Sequence, residues 1–496
     1  MNGDNNNIQK DGQLSRRVVH GSMWVTSSRV LQRCLTVVRT IVIARLLSPD
    51  DFGLFGIAML ALAALERFSV TGFDQALIQK KEHIEPYLDP AWTIQVIRGF
   101  VLGLLLFCAA PLIAKFFGEP QIILLLKVLG VSIFIGSFRN IGIVFFQKNI
   151  EFNKIFAYEL SGTIADFVVA LTAAFILRNA WALIFGFVAR NVIQTIVSYI
   201  IHPYRPRFLV DKEKTKSLLN FGQWVWVSSI LIFLVTQGDD ILVGKLLGVA
   251  ALGFYQLAYK ISNMPTTEIT HVISQVTFPA YSKIQDNVSK LRDAYLKVLQ
   301  LTVFLSFPVA GLIFVLAPDF TMIFLGEKWM PMVPSLQVLV FAGLIRSIAA
   351  TQGNIFYAVG KPKIDTVLQV IRLAVIAIFI YPFSVRWGIL GASIVVLMSI
   401  ATATIGFSVM SIRITKCDIM QFAKPIILPL INIGIVVFVI LKFRNVLGTG
   451  IWQFLILFCT GTLLYLFITL VFDKLLNNSK LLFLIKDSLQ LIRGEV

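Results

Sequence analysis

Roughly fourteen apolar runs alternate with short polar connections along this 496-residue chain, each near the about 20 residues a helix needs to cross a bilayer. They centre on residues 24–45, 52–76, 91–116, 121–146, 155–177, 180–201 and 219–244. The remainder centre on 250–280, 298–317, 333–358, 365–385, 388–412, 424–443 and 450–473. A lipid-exposed backbone must satisfy its own hydrogen bonds, so spans of this length read as helices. The longest polar stretches run to about 15–20 residues, too short for a soluble catalytic domain.

The pattern repeats. WVTSS…IVIARLLSPDDFGLFGIA, from Trp24 to Ala58, returns as WVWVSS…ILVGKLLGVAALGFYQLA from Trp224 to Ala258, a constant offset of 200 positions. The offset aligns Arg45 with Lys245, Gly53 with Gly253 and Ala58 with Ala258. Weaker echoes follow: Gly118-Glu119 with Gly326-Glu327, LKVL (126–129) with LQVL (336–339), and AWALIFG (180–186) with RWGILGA (386–392). Six spans separate the two starts. An even number preserves orientation, so the copies are expected to be parallel, related by a pseudo-twofold axis along the membrane normal. The expected architecture is an all-α membrane protein of about fourteen transmembrane helices, in two six-helix lobes plus two C-terminal helices.

The corresponding segments are a cytoplasmic N-terminal tail (1–20), an N-lobe (21–202), a cytoplasmic linker (203–218), a C-lobe (219–413), spans 13 and 14 (414–473) and a cytoplasmic amphipathic tail (474–496). In Leu47-Ser48-Pro49-Asp50-Asp51, Ser48 is placed to cap the second span, Pro49 suits its first position, and the two Asp lie where the helix dipole favours anions. Pro265 and Pro308 fall inside long spans, where each removes a helix hydrogen bond.

Composition sharpens this picture. A mean hydropathy of +0.81 with 14% charged residues excludes an ordinary soluble domain, whose charged share is about 25%. With the N-terminus inside, roughly 25 Lys and Arg fall in inside segments against roughly 8 in outside loops, the bias expected of a multi-pass protein of the cytoplasmic membrane with both termini cytoplasmic. That bias absorbs most of the net charge of +17. Scattered over inside loops, these cations suit anionic headgroups and not a nucleic acid. The four Cys and four His show no metal or redox spacing, so no metal and no cofactor is expected. There is no GxxxxGK[ST] loop for ATP.

Charge inside a bilayer is costly and persists where it meets water, a partner or a substrate. Arg29, Arg33 and Arg39 fall within one half of the first helix's circumference, Arg33 about 40° and Arg39 about 80° from Arg29 on opposite sides. Arg98, Arg139, Arg190, Lys260, Arg346 and Arg372 lie in later spans. Apart from Arg29, which lies near a span end, they point to a cationic cavity for an anionic group such as pyrophosphate, which guanidinium matches in bidentate geometry. The structural alternative is that each snorkels or pairs with an acid. The acids are Glu66, Asp74, Glu159, Asp166, Asp239, Asp240 and Glu268. Glu159 and Asp166 are candidates for ion coupling, or for neutralisation by neighbouring Arg. The 200-residue offset sets Arg39 opposite Asp239, which suggests an inter-lobe pair of Arg39 with Asp239 or Asp240 that forms and breaks during transport.

The segments ARLLSPDDFGLFGIA (44–58), GFDQALIQKKE (72–82), APLIAKFFGEP (110–120), FQKNIEFNK (146–154), GDDILVGKLLGVAALGFYQLAYK (238–260) and VTFPAYSKIQ (276–285) resemble the polysaccharide transporter family. This is the branch of the multidrug/oligosaccharidyl-lipid/polysaccharide exporter superfamily that holds the colanic-acid and teichuronic-acid-type flippases. The resemblance covers nearly all of spans 1–9. It implies a non-enzymatic, alternating-access flippase for polyprenyl-pyrophosphate-linked oligosaccharide units, with helices 1, 2, 7 and 8 around a cationic central cavity. Its implied partners are that lipid-linked glycan, membrane lipids and the polysaccharide polymerase or export machinery. By position Arg33 and Arg39 match the basic pair on the first helix of related peptidoglycan-precursor flippases, with Thr40 where those carry an acid. The competing readings are an ion-coupled drug/cation antiporter of the same superfamily, which a cationic cavity opposes, and a membrane glycan polymerase or ligase, for which the outside loops are short.

Overall fold

The computed structural model describes residues 30–69, 85–149, 151–209, 211–448 and 450–475, and these are overwhelmingly helical. In chain order the helices are α1 (30–46), α2 (Pro49–Phe68), α3 (Glu85–Phe117), α4 (Ile122–Ser137), α5 (Val144–Lys148), α6 (Phe152–Leu177) and α7 (Trp181–Ile201). There follow α8 (Lys212–Leu247), α9 (Val249–Ile284), α10 (Val288–Phe320), α11 (Val333–Ala358), α12 (Pro362–Thr415), α13 (Ile419–Leu447) and α14 (Ile451–Leu475). Eight helices among the described residues are long and apolar enough to cross a membrane. One of them, α12, is two helices joined at Gly388, whose φ of 59° and ψ of −139° break the helical backbone. Only glycine adopts that conformation without strain. Every predicted span therefore has a helix at its position, and the chain is a multi-pass membrane protein.

The departures have local causes. The span expected at 121–146 ends at Ser137, because Asn140 turns extended (φ −65°, ψ 119°) and its side chain caps the amide of Gly142. The helix α10 starts ten residues before the apolar run, at an Asn287 cap whose Oδ1 accepts from the Lys290 amide at 3.0 Å. Residues 203–209 of the expected linker run without helix, and α8 begins at Lys212. The N-terminal tail, Arg29, Asp74, the segment 72–82 and the tail from 476 lie outside the described residues, as do the side chains of Pro265 and Glu268.

Two compact units divide between Gly253 and Phe254. In the first, α6 packs on α7, α3 on α4, and α2 on α4 and α8. Ile43 and Leu47 of α1 are buried with Ala170, Ala174, Ala182 and Leu183, so small residues on α6 and α7 let α1 approach closely. In the second, α10 is central. Its Tyr295, Leu299, Val303 and Phe307 are fully buried among residues of α11, α13 and α14. Tyr465 of α14 donates its hydroxyl to the Phe304 carbonyl at 3.2 Å, and Arg444 of α13 pairs with the buried Asp319 of α10 at 2.6 Å. Large apolar side chains such as Leu112, Ile176, Ile200, Phe438 and Trp452 remain exposed, as a lipid-facing surface requires.

The Ser48 cap forms as the sequence predicts. Ser48 Oγ accepts from the Asp51 amide at 3.2 Å, and Asp51 Oδ2 accepts from the Ser48 amide at 2.9 Å. The second carboxylate oxygen of Asp51 accepts from the Ala180 amide at 2.9 Å, which ties the start of α2 to the turn entering α7.

The repeated glycines meet. A side chain on Gly53 would run into the carbonyl oxygen of Val249, and one on Gly253 into the carbonyl oxygen of Pro49. Positions 49 and 249, like 53 and 253, are equivalents under the offset, so the first turns of α2 and α9 cross reciprocally, backbone against backbone. Burial follows the same register, with Ile43 and Val243, Ile57 and Leu257, and Ala58 and Ala258 all buried.

Candidate functional site

In the first unit the charged side chains are ordered by α6. Glu159 and Asp166 are seven residues apart, two turns along one helix face. Asp166 Oδ1 pairs with Arg39 Nη2 of α1 at 2.8 Å, with the two side chains only 13% and 17% exposed. Glu159 Oε2 pairs with Arg190 Nη2 of α7 at 3.2 Å and also accepts from Gln194 Nε2 at 3.4 Å. Arg190 lies close enough to Arg39 for the two guanidiniums to repel. Arg139 lies beside Tyr158, and its charge acts on Glu66 together with those of Arg98 and Arg67. Arg98 of α3 directs its donors to the end of α2: Nε and Nη2 reach Ser69 Oγ at 3.1 and 2.9 Å, and Nη2 reaches the Glu66 carbonyl at 3.3 Å. That satisfies helix C-terminal acceptors with a cation. Arg33 is half-buried on α1. Thr40, in the place of an acid, donates back to the Thr36 carbonyl at 2.7 Å and leaves Asp166 as the partner of Arg39.

Thus Arg39 and Arg190 are paired with Asp166 and Glu159, while Glu66 lies under the charges of Arg98, Arg139 and Arg67. The pairing inferred from the 200-residue offset is not formed in this conformation. Arg39 is held by Asp166, which α6 presents beside α1, whereas Asp239 is buried within α8. The offset relates equivalent positions, and equivalence does not make two residues neighbours. Glu159 and Asp166, read as candidates for ion coupling, are both engaged by arginine.

The second unit holds a separate cation. Arg346 of α11 donates from Nη1 to Asn263 Oδ1 at 2.6 Å and from Nη2 to the Tyr259 hydroxyl at 2.7 Å, with its guanidinium 5.4 Å from the Tyr259 ring centroid. Both partners are on α9, and Asn263 is buried. Here a cation inside a span is held by neutral groups and a π face, with no acid paired to it among the described residues. Lys260 is exposed on α9 and Arg372 half-buried on α12. Asp319 and Arg444, a pair in which Asp319 is only 5% exposed, went unnoticed in the sequence because their spans are far apart in the chain. No group of three or more His, Cys, Asp or Glu among the described residues is placed to hold a metal.

Residues 42–334, more than half of the chain, match the family described as polysaccharide biosynthesis protein. The chain belongs to that family. Among relatives of this polysaccharide biosynthesis protein is the lipopolysaccharide biosynthesis protein WzxC of Escherichia coli, 28% identical over 354 residues that cover 71% of this chain and 72% of the relative. The teichuronic acid biosynthesis protein TuaB of Bacillus subtilis is 25% identical over 351 residues, covering 70% and 72%. A solved structure of the lipid II flippase MurJ in an inward closed conformation matches with a TM-score of 0.75 at 16% identity, over 91% of this chain and 99% of that one. An inward-facing MATE multidrug transporter matches with a TM-score of 0.60 at 18% identity, over 78% and 95%. At these identities the two structures show the fold alone.

Residues 203–209, the strap that follows the end of α7, carry a contact expected to depend on pH. Asn140 Nδ2 donates to the Tyr204 carbonyl at 2.7 Å, Tyr204 donates its hydroxyl to Asp89 Oδ1 at 2.6 Å, and the Arg207 amide donates to the same oxygen at 2.9 Å. The Tyr204 amide donates to His202 Nδ1 at 3.2 Å, which requires that nitrogen to be unprotonated. Burial, then Lys154, hold His202 below its ordinary value, with Arg205 adding to and Glu151 opposing the shift. A base with a lowered folded value contributes stability above its unfolded pKa of about 6.5 and loses it as pH falls through the folded value. Protection of the Tyr204 and Arg207 amides from hydrogen exchange, corrected for intrinsic rate, should therefore be high at pH 7.5 and fall below about pH 6.5. His202→Phe should remove that pH dependence.

Proposed function

We propose that this protein is a flippase that moves polyprenyl-pyrophosphate-linked oligosaccharide units from the inner to the outer leaflet of the cytoplasmic membrane for export of surface polysaccharide. The observation that carries the reading is the presence of guanidiniums within apolar helices, Arg39 and Arg190 paired with acids in the first unit and Arg346 held by neutral groups in the second, in a chain of the polysaccharide biosynthesis family. Guanidinium recognises pyrophosphate in bidentate geometry, and inside a span its interaction is little screened. Arg33, Arg98 and Arg139 of the first unit and Lys260 and Arg372 of the second are the further basic residues assigned to the substrate. The names of WzxC and TuaB, two surface-glycan biosynthesis proteins, and the fold shared with a lipid II flippase support the same substrate chemistry.

In this mechanism the lobes 21–202 and 219–413 rock while the polyprenyl tail stays in lipid, both termini remain cytoplasmic, and no covalent chemistry is performed. Asp166 and Glu159 act as placeholders: each neutralises an arginine until the pyrophosphate replaces it, which lowers the cost of an empty cationic path. The glycan would pass from this protein to polymerase or export machinery outside. A drug/cation antiporter would have to bring a cation against these arginines. The test is deletion of the gene followed by recovery of the lipid-linked repeat unit, which is expected to accumulate on the inner leaflet.

A further inference from the structure

The segment FQKNIEFNK, quoted above for its resemblance, contributes nothing to the arginine path, yet it builds a cleft. Its Phe146, Asn149, Glu151 and Lys154, with Phe145 and His202, line an open cleft of about 380 Å³. That volume is within the range of about 300–1,000 Å³ typical of small-molecule sites. In the proposed topology it opens on the cytoplasmic side, from which the substrate is loaded.

The walls are preformed. The His202 ring stacks parallel on Phe145 (5.6 Å between centroids, 6° between planes) and meets Phe146 edge-on at 5.3 Å. The backbone of Gly142 lies so close to the imidazole that a side chain there would collide with it. The polar groups at the mouth are an exposed amide, Asn149, and an ion pair of Lys154 with Glu151 at 2.6 Å. Lys154 also sits 5.0 Å over the Phe146 ring.

The charge balance selects the ligand class. Among the lining residues Glu151 cancels Lys154, and the Tyr204 amide donating to Nδ1 holds His202 neutral, so the lining carries no net charge. Arg205, bonded to the His202 and Tyr204 carbonyls, is not part of it. A phosphate or an anionic headgroup would gain no net attraction and would meet the Glu151 carboxylate. An acyl chain would strip water from the amide and the ion pair without replacing its hydrogen bonds. A sugar ring satisfies both demands. Its hydroxyls exchange hydrogen bonds with amide, carboxylate and ammonium, and its C–H face packs on the part-exposed Phe145–His202 stack.

We propose that this cleft is a glycan-docking site that takes a neutral sugar ring of the lipid-linked unit before the pyrophosphate enters the arginine path. The site reads the sugar while the arginines read the phosphate, so glycan selectivity and translocation reside in different residues. The proposal rests on the flippase reading for its role, but the binding itself is independent of it.

The test is saturation-transfer NMR on the purified full chain in nanodiscs, with glucose, galactose, fucose, N-acetylglucosamine and N-acetylgalactosamine as probes. Saturation is expected to pass to the ring protons of at least one sugar. The signal should fall at least five-fold in Asn149→Ala and in Glu151→Gln, both melting with the wild type, and should be unchanged by 10 mM pyrophosphate or by Arg39→Ala/Asp166→Ala. No transfer to any of the five sugars, transfer unaltered in both cleft variants, or displacement by pyrophosphate or by phosphatidylglycerol vesicles would overturn the proposal. Unaltered binding in the variants beside inner-leaflet accumulation in the deletion strain sinks the cleft and leaves the flippase standing. Lost sugar binding in the variants without such accumulation supports the cleft and sinks the flippase.

Discussion

Arg39→Ala is expected to abolish export, and removing Asp166 with it is expected to restore the fold but not the export. The single substitution strands the Asp166 carboxylate, 17% exposed, inside the first unit. Breaking such a buried pair typically costs about 3–5 kcal/mol, because the remaining charge is left without its partner. In Arg39→Ala/Asp166→Ala no charge is stranded, and removing both partners of a buried pair is often close to neutral. The melting temperature of the purified protein should drop in the single variant and return close to wild type in the double. Membrane level should follow the same order. Export measured in the deletion strain should be absent from both. If the double variant exported normally, the pair would be a structural strut and Arg39 would have no part in holding pyrophosphate.

The second large effect is expected at the crossing of α2 and α9. Gly253→Leu places a side chain against the carbonyl oxygen of Pro49, and Gly53→Leu does the same against Val249. Overpacking a core costs about 1–3 kcal/mol when neighbouring side chains can yield. Here the obstacle is main chain, capped and tied by Ser48, Asp51 and Ala180, so it cannot rotate away. The crossing must open by whole-helix displacement. Each variant should lower the melting temperature by several degrees or fail to reach the membrane, and Gly253→Ala should show a smaller loss in the same direction. Leu at position 248, the neighbouring glycine with open space around it, is not an equivalent control, because its φ of 87° strains any side chain. Gly434→Leu, on α13 with nothing within 4 Å of an added Cβ, is the proper one and should melt close to wild type. A normal melt for Gly253→Leu would show that the crossing is loose.

Much of the fold was legible because a bilayer leaves the chain few options: an apolar run of about 20 residues has to be a helix. Even the break at Gly388 fell at the boundary between the spans read as 365–385 and 388–412. What escaped were features decided by side chains meeting across long sequence separations. Asn140 ends α4 because it can reach the strap, more than 60 residues on, and no local propensity announces that. The seven-residue spacing of Glu159 and Asp166 was readable as one helix face, but their partners lie on α7 and α1. The internal repeat pointed Arg39 at Asp239, since it reports which positions correspond and carries no information on which helices touch. For Gly53 and Gly253 the repeat was the right guide, and only the close approach of the two backbones gives the reason for glycine at both. The cleft was hidden because its walls come from two segments, 145–154 and 201–203, that are joined only by the fold.

The most direct measurement is the leaflet distribution of the lipid-linked repeat unit in cells lacking this protein. Intact spheroplasts and inverted vesicles would be exposed to an impermeant lectin or glycosidase that reads the headgroup, with the wild-type gene restored as control. The expected result is headgroup confined to the inner leaflet in the deletion strain and reaching the outer leaflet when the gene is returned. Headgroup on the outer leaflet at wild-type level without the protein, or a repeat unit that never forms, would contradict a role in flipping.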